Sequence, residues 1–219
     1  EPPGGYREKP QIELAGDWTA ERLDQGIKSA ATAAPVPAEK WSDPANAPKL
    51  RIAYARDAGF IIEAEVKDTK HVQPHSRERL VEGDSMTFAF DVNKTDEWRT
   101  NDIWMNYKGH NCVEYSVGRS ADGRSEAFRR NCWIPDMKKF ESVGANVRTN
   151  IKNENGVTKY WVWIPWANLG LDEQLRPGAK VGFAAALYSS DGGKVTVNRL
   201  FDGIVDPLDP MKYGVLELK

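Results

Sequence analysis

The chain has 219 residues, of which 40% are hydrophobic and 28% are charged, a composition typical of a folded domain large enough to bury a core. Its 30 basic and 32 acidic residues leave a net charge of -2, so it lacks the basic excess of a nucleic-acid-binding protein. No apolar run approaches the roughly 20 residues that are needed to span a bilayer.

Residues 1–48 are rich in proline, glycine and other turn-forming residues and show no apolar periodicity of their own. The stretch 30–37 interrupts any regular element, and Trp18 and Trp41 are the large aromatic side chains that could anchor the segment. We therefore expect an irregular N-terminal extension wrapped on one domain, which is formed by residues 49–219.

From residue 50 onward, short segments of alternating hydrophobicity are separated by turn residues. Met86, Phe88 and Phe90, for example, alternate with small or polar side chains. The predicted strands cover residues 50–55, 60–66, 86–90, 103–107, 113–117, 128–134, 143–151, 160–164, 181–188, 195–201 and 215–218. No long helical period appears, and a single helical turn is expected near residues 165–169. The pattern predicts an all-β fold, an antiparallel β-sandwich of the immunoglobulin or jelly-roll kind.

The two cysteines, Cys112 and Cys132, are too few for a disulfide scaffold. Both flank segments that can pair as strands, so one disulfide in an oxidising compartment and two free thiols are equally open.

Several motifs occur in chain order between residues 50 and 219. A hairpin ends in Val66-Lys67-Asp68, a strand opens with Asp84-Ser85, residues 163–170 read Trp-Ile-Pro-Trp-Ala-Asn-Leu-Gly, Pro-Gly stands at 177–178, and residues 209–218 read Asp-Pro-Met-Lys-Tyr-Gly-Val-Leu-Glu-Leu. Together they resemble the framework of carbohydrate-binding module family 9. The resemblance implies a non-catalytic β-sandwich that binds a polysaccharide or oligosaccharide. It also implies an ancillary domain of a larger carbohydrate-active protein that is secreted, periplasmic or on the cell surface.

Well-known members of that family hold a sugar between two tryptophans, and this chain keeps neither of them. Val81 stands at the first position, and the strand that would carry the second offers residues 198–201. Thr87 stands at the position of the family's acidic residue, and Trp104 at that of its arginine.

A rebuilt site can still occupy the same face of the sheet. Strand alternation points Thr87, Trp104 and Asn106 to one side, with the small side chains of Ala184 and Ala186 opposite. Flat aromatic rings can stack on apolar sugar faces, while sugar hydroxyls need polar partners. The expected ligand-binding residues are Thr87, Trp98, Trp104, Asn106, Arg199 and Phe201, whereas Trp161, Trp163 and Trp166 are expected to be structural.

The resemblance also implies structural calcium, a cation that prefers several oxygen ligands. Asp91, Asn93 and Asp96 gather oxygens in one short loop, although a solvated acidic turn explains the same pattern. Further candidate ligands are Asp57, Asp68 and Asp84. The three histidines, His71, His75 and His110, lack the spacing of a zinc site and are expected at the surface.

Two other functions fit a sandwich of this kind. One is a haem b domain of periplasmic electron transfer, for which Met86, Met105 and Met137 are candidate axial ligands, although the first two fall on predicted core faces. The other is a structural or adhesion module that has lost its ligand. No nucleophile elbow, phosphate-binding loop or dinucleotide fingerprint occurs, and no pair of the 32 acidic residues stands out as glycosidase carboxylates, so we expect no enzyme.

Overall fold

The computed structural model describes residues 11–14, 35–55, 58–92, 111–144, 146–171, 175, 178–204 and 208–218. Twelve strands form within these ranges: β1 Gln11–Leu14, β2 Lys49–Ala55, β3 Gly59–Lys67, β4 Ser85–Asp91, β5 Cys112–Arg119, β6 Ser125–Cys132, β7 Glu141–Ser142, β8 Arg148–Glu154, β9 Val157–Pro165, β10 Lys180–Ser190, β11 Val195–Leu200 and β12 Gly214–Leu218. Short 3₁₀ helices cover Ala38–Lys40, Pro44–Asn46, Arg77–Glu82, Trp166–Leu169 and Pro210–Lys212. None of the helices in the described ranges has the length and apolar character to cross a membrane.

The strands form two sheets, which confirms the predicted all-β sandwich. The eight-stranded sheet has the order β1-β12-β10-β4-β5-β6-β7, and β11 also pairs with β10. The first half of β10 pairs with β12 and the second half with β11, so both share one edge of that long strand. The four-stranded sheet has the order β2-β3-β9-β8. Every described strand pair is antiparallel except that of β1 with β12.

The core lies between the two sheets, because alternate residues of each strand point inward. Phe60 of β3 is fully buried and its ring stacks on Phe90 of β4 at 5.1 Å between centroids. The ring of Trp166 meets Phe60 edge-on at 4.9 Å, so the predicted helical turn after β9 also closes the core. Met86 is fully buried in the same cluster, and its sulfur is therefore used in packing.

The described parts of the N-terminal extension pair with the sandwich at several points. β1 lies parallel to β12. The sequence pattern does not predict β1. The Val36 amide donates to the Leu50 carbonyl at 2.7 Å, and Trp41 forms a β-bridge with Leu200 while its ring is buried in the core. Trp41 therefore anchors this segment, as expected.

The predicted strand 143–151 is divided by a turn. The Val143 carbonyl accepts hydrogen bonds from the amides of Asn146 and Val147, which ends β7 before β8 begins at Arg148. The other predicted strands within the described ranges appear with bounds shifted by a few residues. The predicted strand 103–107 lies outside those ranges.

The two cysteines are free thiols. β5 and β6 do pair, but Cys132 lies opposite Val113, the neighbour of Cys112. Since successive strand residues point to opposite faces, Cys112 packs on the outer face of the sheet while Cys132 packs against the core. Of the two alternatives that the sequence leaves open, a disulfide and two free thiols, the structure therefore shows the free thiols.

Candidate functional site

The outer face of the eight-stranded sheet, which points away from the core, carries those nominated ligand-binding residues that the structure describes, namely Thr87, Arg199 and Phe201. Cross-strand register places Arg199 opposite Ala186, Ala186 opposite Thr87, and Thr87 opposite Ser116. Ala184 lies opposite Ala89 one step further along the same face. The small and polar side chains therefore lie side by side, as the strand alternation predicts.

The floor of this face is closed. The hydroxyls of Thr87 and Ser116 lie 2.8 Å apart in a hydrogen bond, and both residues are buried. Ala184 and Ala186 pack there in a second apolar cluster together with larger side chains, including those of Tyr188, Ile204, Leu208 and Tyr213. The Thr87 side chain is thus engaged below the surface, and any ligand contact on this face has to come from groups above the floor.

Unpaired polar groups remain on this face. Among the described residues, neither Nε of Arg199 nor the hydroxyl of Tyr213 has a hydrogen-bond partner, although both atoms are buried. Burial raises the pKa of the Tyr213 phenol, which therefore stays a neutral hydroxyl. A buried donor without a partner costs about 1–3 kcal/mol, so these groups favour the approach of an oxygen-bearing ligand or of water.

Phe201 lies at the edge of the same face with a strained backbone. Its φ of 62° is in the left-handed region, which a bulky side chain rarely adopts. The ring is half-buried and covers Gly214 so closely that a Cβ there would lie 2.1 Å from Cε2 of Phe201. Gly214 thus leaves the space that this ring occupies.

Asn198, also in the stretch that replaces the family's second tryptophan, has a structural role. Its Oδ1 accepts hydrogen bonds from the Ser42 hydroxyl at 3.0 Å and the Asp43 amide at 2.8 Å. Its Nδ2 donates to the Asp43 carbonyl at 2.8 Å. The amide therefore ties the N-terminal extension to β11.

The remaining nominated residues lie outside the described ranges. They are Trp98, Trp104 and Asn106 for the ligand and Asp57, Asn93 and Asp96 for calcium, and their roles stay predictions. Asp91, the first of the proposed calcium ligands, is fully buried on the outer face, opposite Gly182 and Cys112.

An acid–histidine cluster joins two of the other calcium candidates. Nδ1 of His71 lies 3.1 Å from Oδ2 of Asp68 and 3.9 Å from Oδ2 of Asp84. The His71 side chain is only 9% exposed, so the expectation that it is a surface histidine is wrong. The sequence named both acids but missed His71, which the three-residue spacing from Asp68 could have suggested.

Hydrogen bonds from the protein already occupy these carboxylates. Asp84 accepts from the amides of Val72 and Ser190, while burial raises the pKa of its carboxyl group. Asp68 accepts from the Thr158 hydroxyl at 2.6 Å. Calcium prefers six to eight oxygen ligands, whereas the third member of this cluster offers a nitrogen. The cluster does not fit calcium, and it serves to tie together the strands that meet there.

Within the part of the chain that the structure describes, two surface grooves have the volume of a small-ligand site. One, of about 590 Å³, is lined by polar residues of the segments 74–77 and 120–126. The other, of about 610 Å³, lies between residues 43–47, the start of β2, the end of β3 and part of β11. The described lining of each lacks an aromatic side chain, so neither offers a stacking platform for a sugar.

Solved structures share this architecture over nearly the whole chain. A carbohydrate-binding module family 9 from Caldicellulosiruptor kristjanssonii in complex with glucose superposes with a TM-score of 0.64 at 14% identity, covering 95% of each chain. The chain has the fold of these modules. The structure of such a module from the same organism in complex with cellotriose gives a TM-score of 0.60 at 15% identity, covering 96% of this chain and 93% of that one.

A candidate carbohydrate-binding protein from Bacteroides uniformis also shares the fold, with a TM-score of 0.61 at 11% identity over 96% of this chain and 100% of that one. No protein-family model and no curated protein matches the sequence. At these identities the likeness to the family 9 modules is one of fold, and fold alone does not determine a ligand.

Proposed function

We propose that the chain is a non-catalytic carbohydrate-binding module whose saccharide site lies on the outer face of the eight-stranded sheet. The observation that carries this proposal is the pair formed by Arg199, near the end of β11, and Phe201, directly after it, at the edge of that face. The ring of Phe201 packs over Gly214, and the buried Nε of Arg199, two residues earlier in the chain, has no partner among the described residues. The shared fold with modules solved in complex with glucose and cellotriose supports the same class of ligand.

The binding mode is stacking combined with directional hydrogen bonds. Phe201, together with Trp104 and Trp98 from the sequence prediction, would supply rings for the apolar face of a sugar. Arg199 and Asn106 would donate to its hydroxyl oxygens. A contact of this size supports modest affinity, which suits an ancillary domain that holds a larger secreted, carbohydrate-active protein near a polysaccharide.

Calorimetry against cellotriose, xylotriose and mannotriose, together with affinity electrophoresis on soluble polysaccharides, tests the proposal. At least one glycan should bind. Arg199→Ala and Trp104→Ala should each weaken that binding by about tenfold or more, because each removes a donor or a stacking surface. Arg124→Ala is the matched control, since Arg124 is an exposed arginine paired with Asp122 on the distant β5–β6 turn.

The titrations are run with and without calcium, since we keep Asp91, Asn93 and Asp96 as the proposed ligands of a stabilising ion. Absence of binding to every glycan under both conditions contradicts the proposed function. Binding that both substitutions leave unchanged contradicts only the proposed site.

A further inference from the structure

The outer face of the four-stranded sheet differs in character from that of its partner. Register across β2, β3, β9 and β8 arranges its side chains in three adjacent rows. The rows contain Ala53, Ile61, Trp163 and Arg148; then Arg51, Glu63, Trp161 and Asn150; then Lys49, Glu65, Lys159 and Lys152. The face therefore changes from apolar to charged, and the middle row combines an aromatic ring with polar groups.

The middle row contains two neighbouring polar atoms without hydrogen-bond partners. Glu63 is 4% exposed, and its Oε2 accepts no hydrogen bond. The Arg51 guanidinium lies 3.6 Å away, which is an ion pair but too long for a hydrogen bond. Opposite Glu63, the indole Nε1 of Trp161 is also buried and donates to no group. Glu63 and Trp161 are thus cross-strand neighbours with an acceptor that is held only by an ion pair and a donor that has no partner, a combination that native structures rarely accept.

Trp163, two residues along the same strand, shows what a structural tryptophan looks like here. Its Nε1 donates to the Ala58 carbonyl at 3.3 Å. The guanidinium of Arg148 covers its ring at 5.1 Å from the centroid. Trp161 packs against the same apolar cluster as Trp163 but has no such hydrogen bond.

A cavity of about 80 Å³ opens over Trp161. Its lining includes the polar side chains of Glu63, Asn150, Lys152 and Lys159, while most of its exposed wall is apolar. A water molecule occupies roughly 30 Å³ of liquid volume, and the cavity therefore admits a hydroxyl or hydroxymethyl group rather than a whole disaccharide. The remainder of a ligand would lie outside, over the charged row.

The chemistry of the two unpaired atoms selects the group that enters. A hydroxyl can donate to Oε2 of Glu63 and accept from Nε1 of Trp161 at the same time. An ammonium group would leave the indole without an acceptor. A carboxylate would be repelled by Glu63 and could donate nothing to it.

We propose that this cavity is a second saccharide subsite, in which Trp161 and Glu63 bind one hydroxyl of a sugar unit. The ligand class rests on the proposed function, whereas the location is independent of it. The two sites lie on opposite outer faces of the sandwich, so one module could contact two polysaccharide chains.

Nitrogen-15 NMR of the full chain tests the subsite directly, because each indole Nε1–H gives its own signal. Trp161→Phe identifies the Trp161 signal by its loss. Titration of the parent with cellotriose, xylotriose and mannotriose in turn should shift that signal saturably with at least one of them. Calorimetry with the same glycan should show two sites in the parent, and Trp161→Phe should weaken one of them by about tenfold or more.

Trp163→Phe is the matched control, because it removes an indole N–H that already has a protein partner, and it should retain both sites. A second outcome separates the two proposals. If Arg199→Ala weakens glycan binding, while the glycan does not shift the Trp161 signal and binds Trp161→Phe as well as the parent, the subsite is overturned and the proposed function stands. If none of the three glycans shifts the Trp161 signal and calorimetry detects no glycan, both proposals fail together.

Discussion

The two outer faces of the sandwich follow the same strand alternation but treat their polar groups differently. On the eight-stranded sheet, the cross-strand neighbours Thr87 and Ser116 bond to each other, although Nε of Arg199 has no partner among the described residues. On the four-stranded sheet, the cross-strand neighbours Glu63 and Trp161 form no hydrogen bond through Oε2 or Nε1, and Oε2 has only its ion pair with Arg51. The difference indicates that side-chain size and pairing, rather than the fold, decide whether a polar group stabilises a sheet or remains available to a ligand.

The largest expected effect concerns the hydrophobic core between the two sheets. Phe60→Ala removes a fully buried ring that contacts Phe90 and Trp166, and it should lower the free energy of unfolding by about 3–5 kcal/mol. Urea denaturation followed by fluorescence and circular dichroism measures the loss. Phe140→Ala is the control, since Phe140 is 61% exposed and its loss should change stability by no more than about 0.5 kcal/mol.

Fluorescence and circular dichroism should report the same single unfolding transition in Phe60→Ala, because one core packs between both sheets. Separate transitions, or a stability equal to that of the parent, would show that the two faces do not depend on a common layer.

The next effect tests the closed floor of the eight-stranded sheet. Thr87→Val leaves the buried Ser116 hydroxyl without its partner, and it should destabilise the chain by about 1–3 kcal/mol. Adding Ser116→Ala removes the orphaned group and should recover much of that loss. A double-mutant cycle in urea measures the coupling, and additive losses from the two substitutions would contradict the internal pairing.

The sequence predicts the first face better than the second. Alternation within β4 and β10 is enough to place Thr87 and Ala186 on one side, because each strand carries its own periodic signal. The meeting of Glu63 with Trp161 depends on how β3 pairs with β9, almost a hundred residues later in the chain, and no local pattern encodes that register. For the same reason Trp161 is expected from its local motif to be only structural.

Two expectations from the sequence, the strand 143–151 and a surface position for His71, are wrong for physical reasons that the structure shows. The Val143 carbonyl closes a turn inside a run that looks like one continuous strand. His71 lies in a polar loop by sequence, but Asp68 and Asp84 draw it into a buried cluster through contacts made across several strands. The pairing of side chains, unlike the pattern of strands, follows from the tertiary fold.

A smaller effect should appear in the pH dependence of stability. Burial raises the pKa of Glu63 above its ordinary 4.5, so the folded state holds that proton more tightly than the unfolded state does. Binding of that proton therefore adds to the free energy of unfolding at low pH. This contribution is lost as the pH rises through the raised pKa of Glu63. The raised pKa of Asp84 acts in the same direction.

Glu63→Gln should consequently lose less stability than the parent between about pH 4 and about pH 7. Thermal unfolding across that range measures the difference, and Glu65→Gln on the same strand controls for the loss of one negative charge. Parallel pH profiles for the parent and Glu63→Gln would show that the Glu63 carboxylate is solvated, which would remove the acceptor from the proposed subsite.

The smallest effect is the most discriminating for the four-stranded face. Trp161→Phe deletes an indole N–H that bonds to nothing in the described structure, so the free energy of unfolding should stay within about 0.5 kcal/mol of the parent. Trp163→Phe loses the hydrogen bond to the Ala58 carbonyl, and it should cost about 0.5–1.5 kcal/mol. Urea denaturation of the two variants side by side measures this difference.

If the variants are equally destabilised, the Trp161 indole has a protein partner in solution, and the contrast between the two faces disappears. If Trp161→Phe instead keeps its stability while its glycan affinity falls, a structural role cannot explain the loss of binding. An indole N–H that does not contribute to the free energy of unfolding but does contribute to glycan affinity is a group whose hydrogen-bond partner is the ligand.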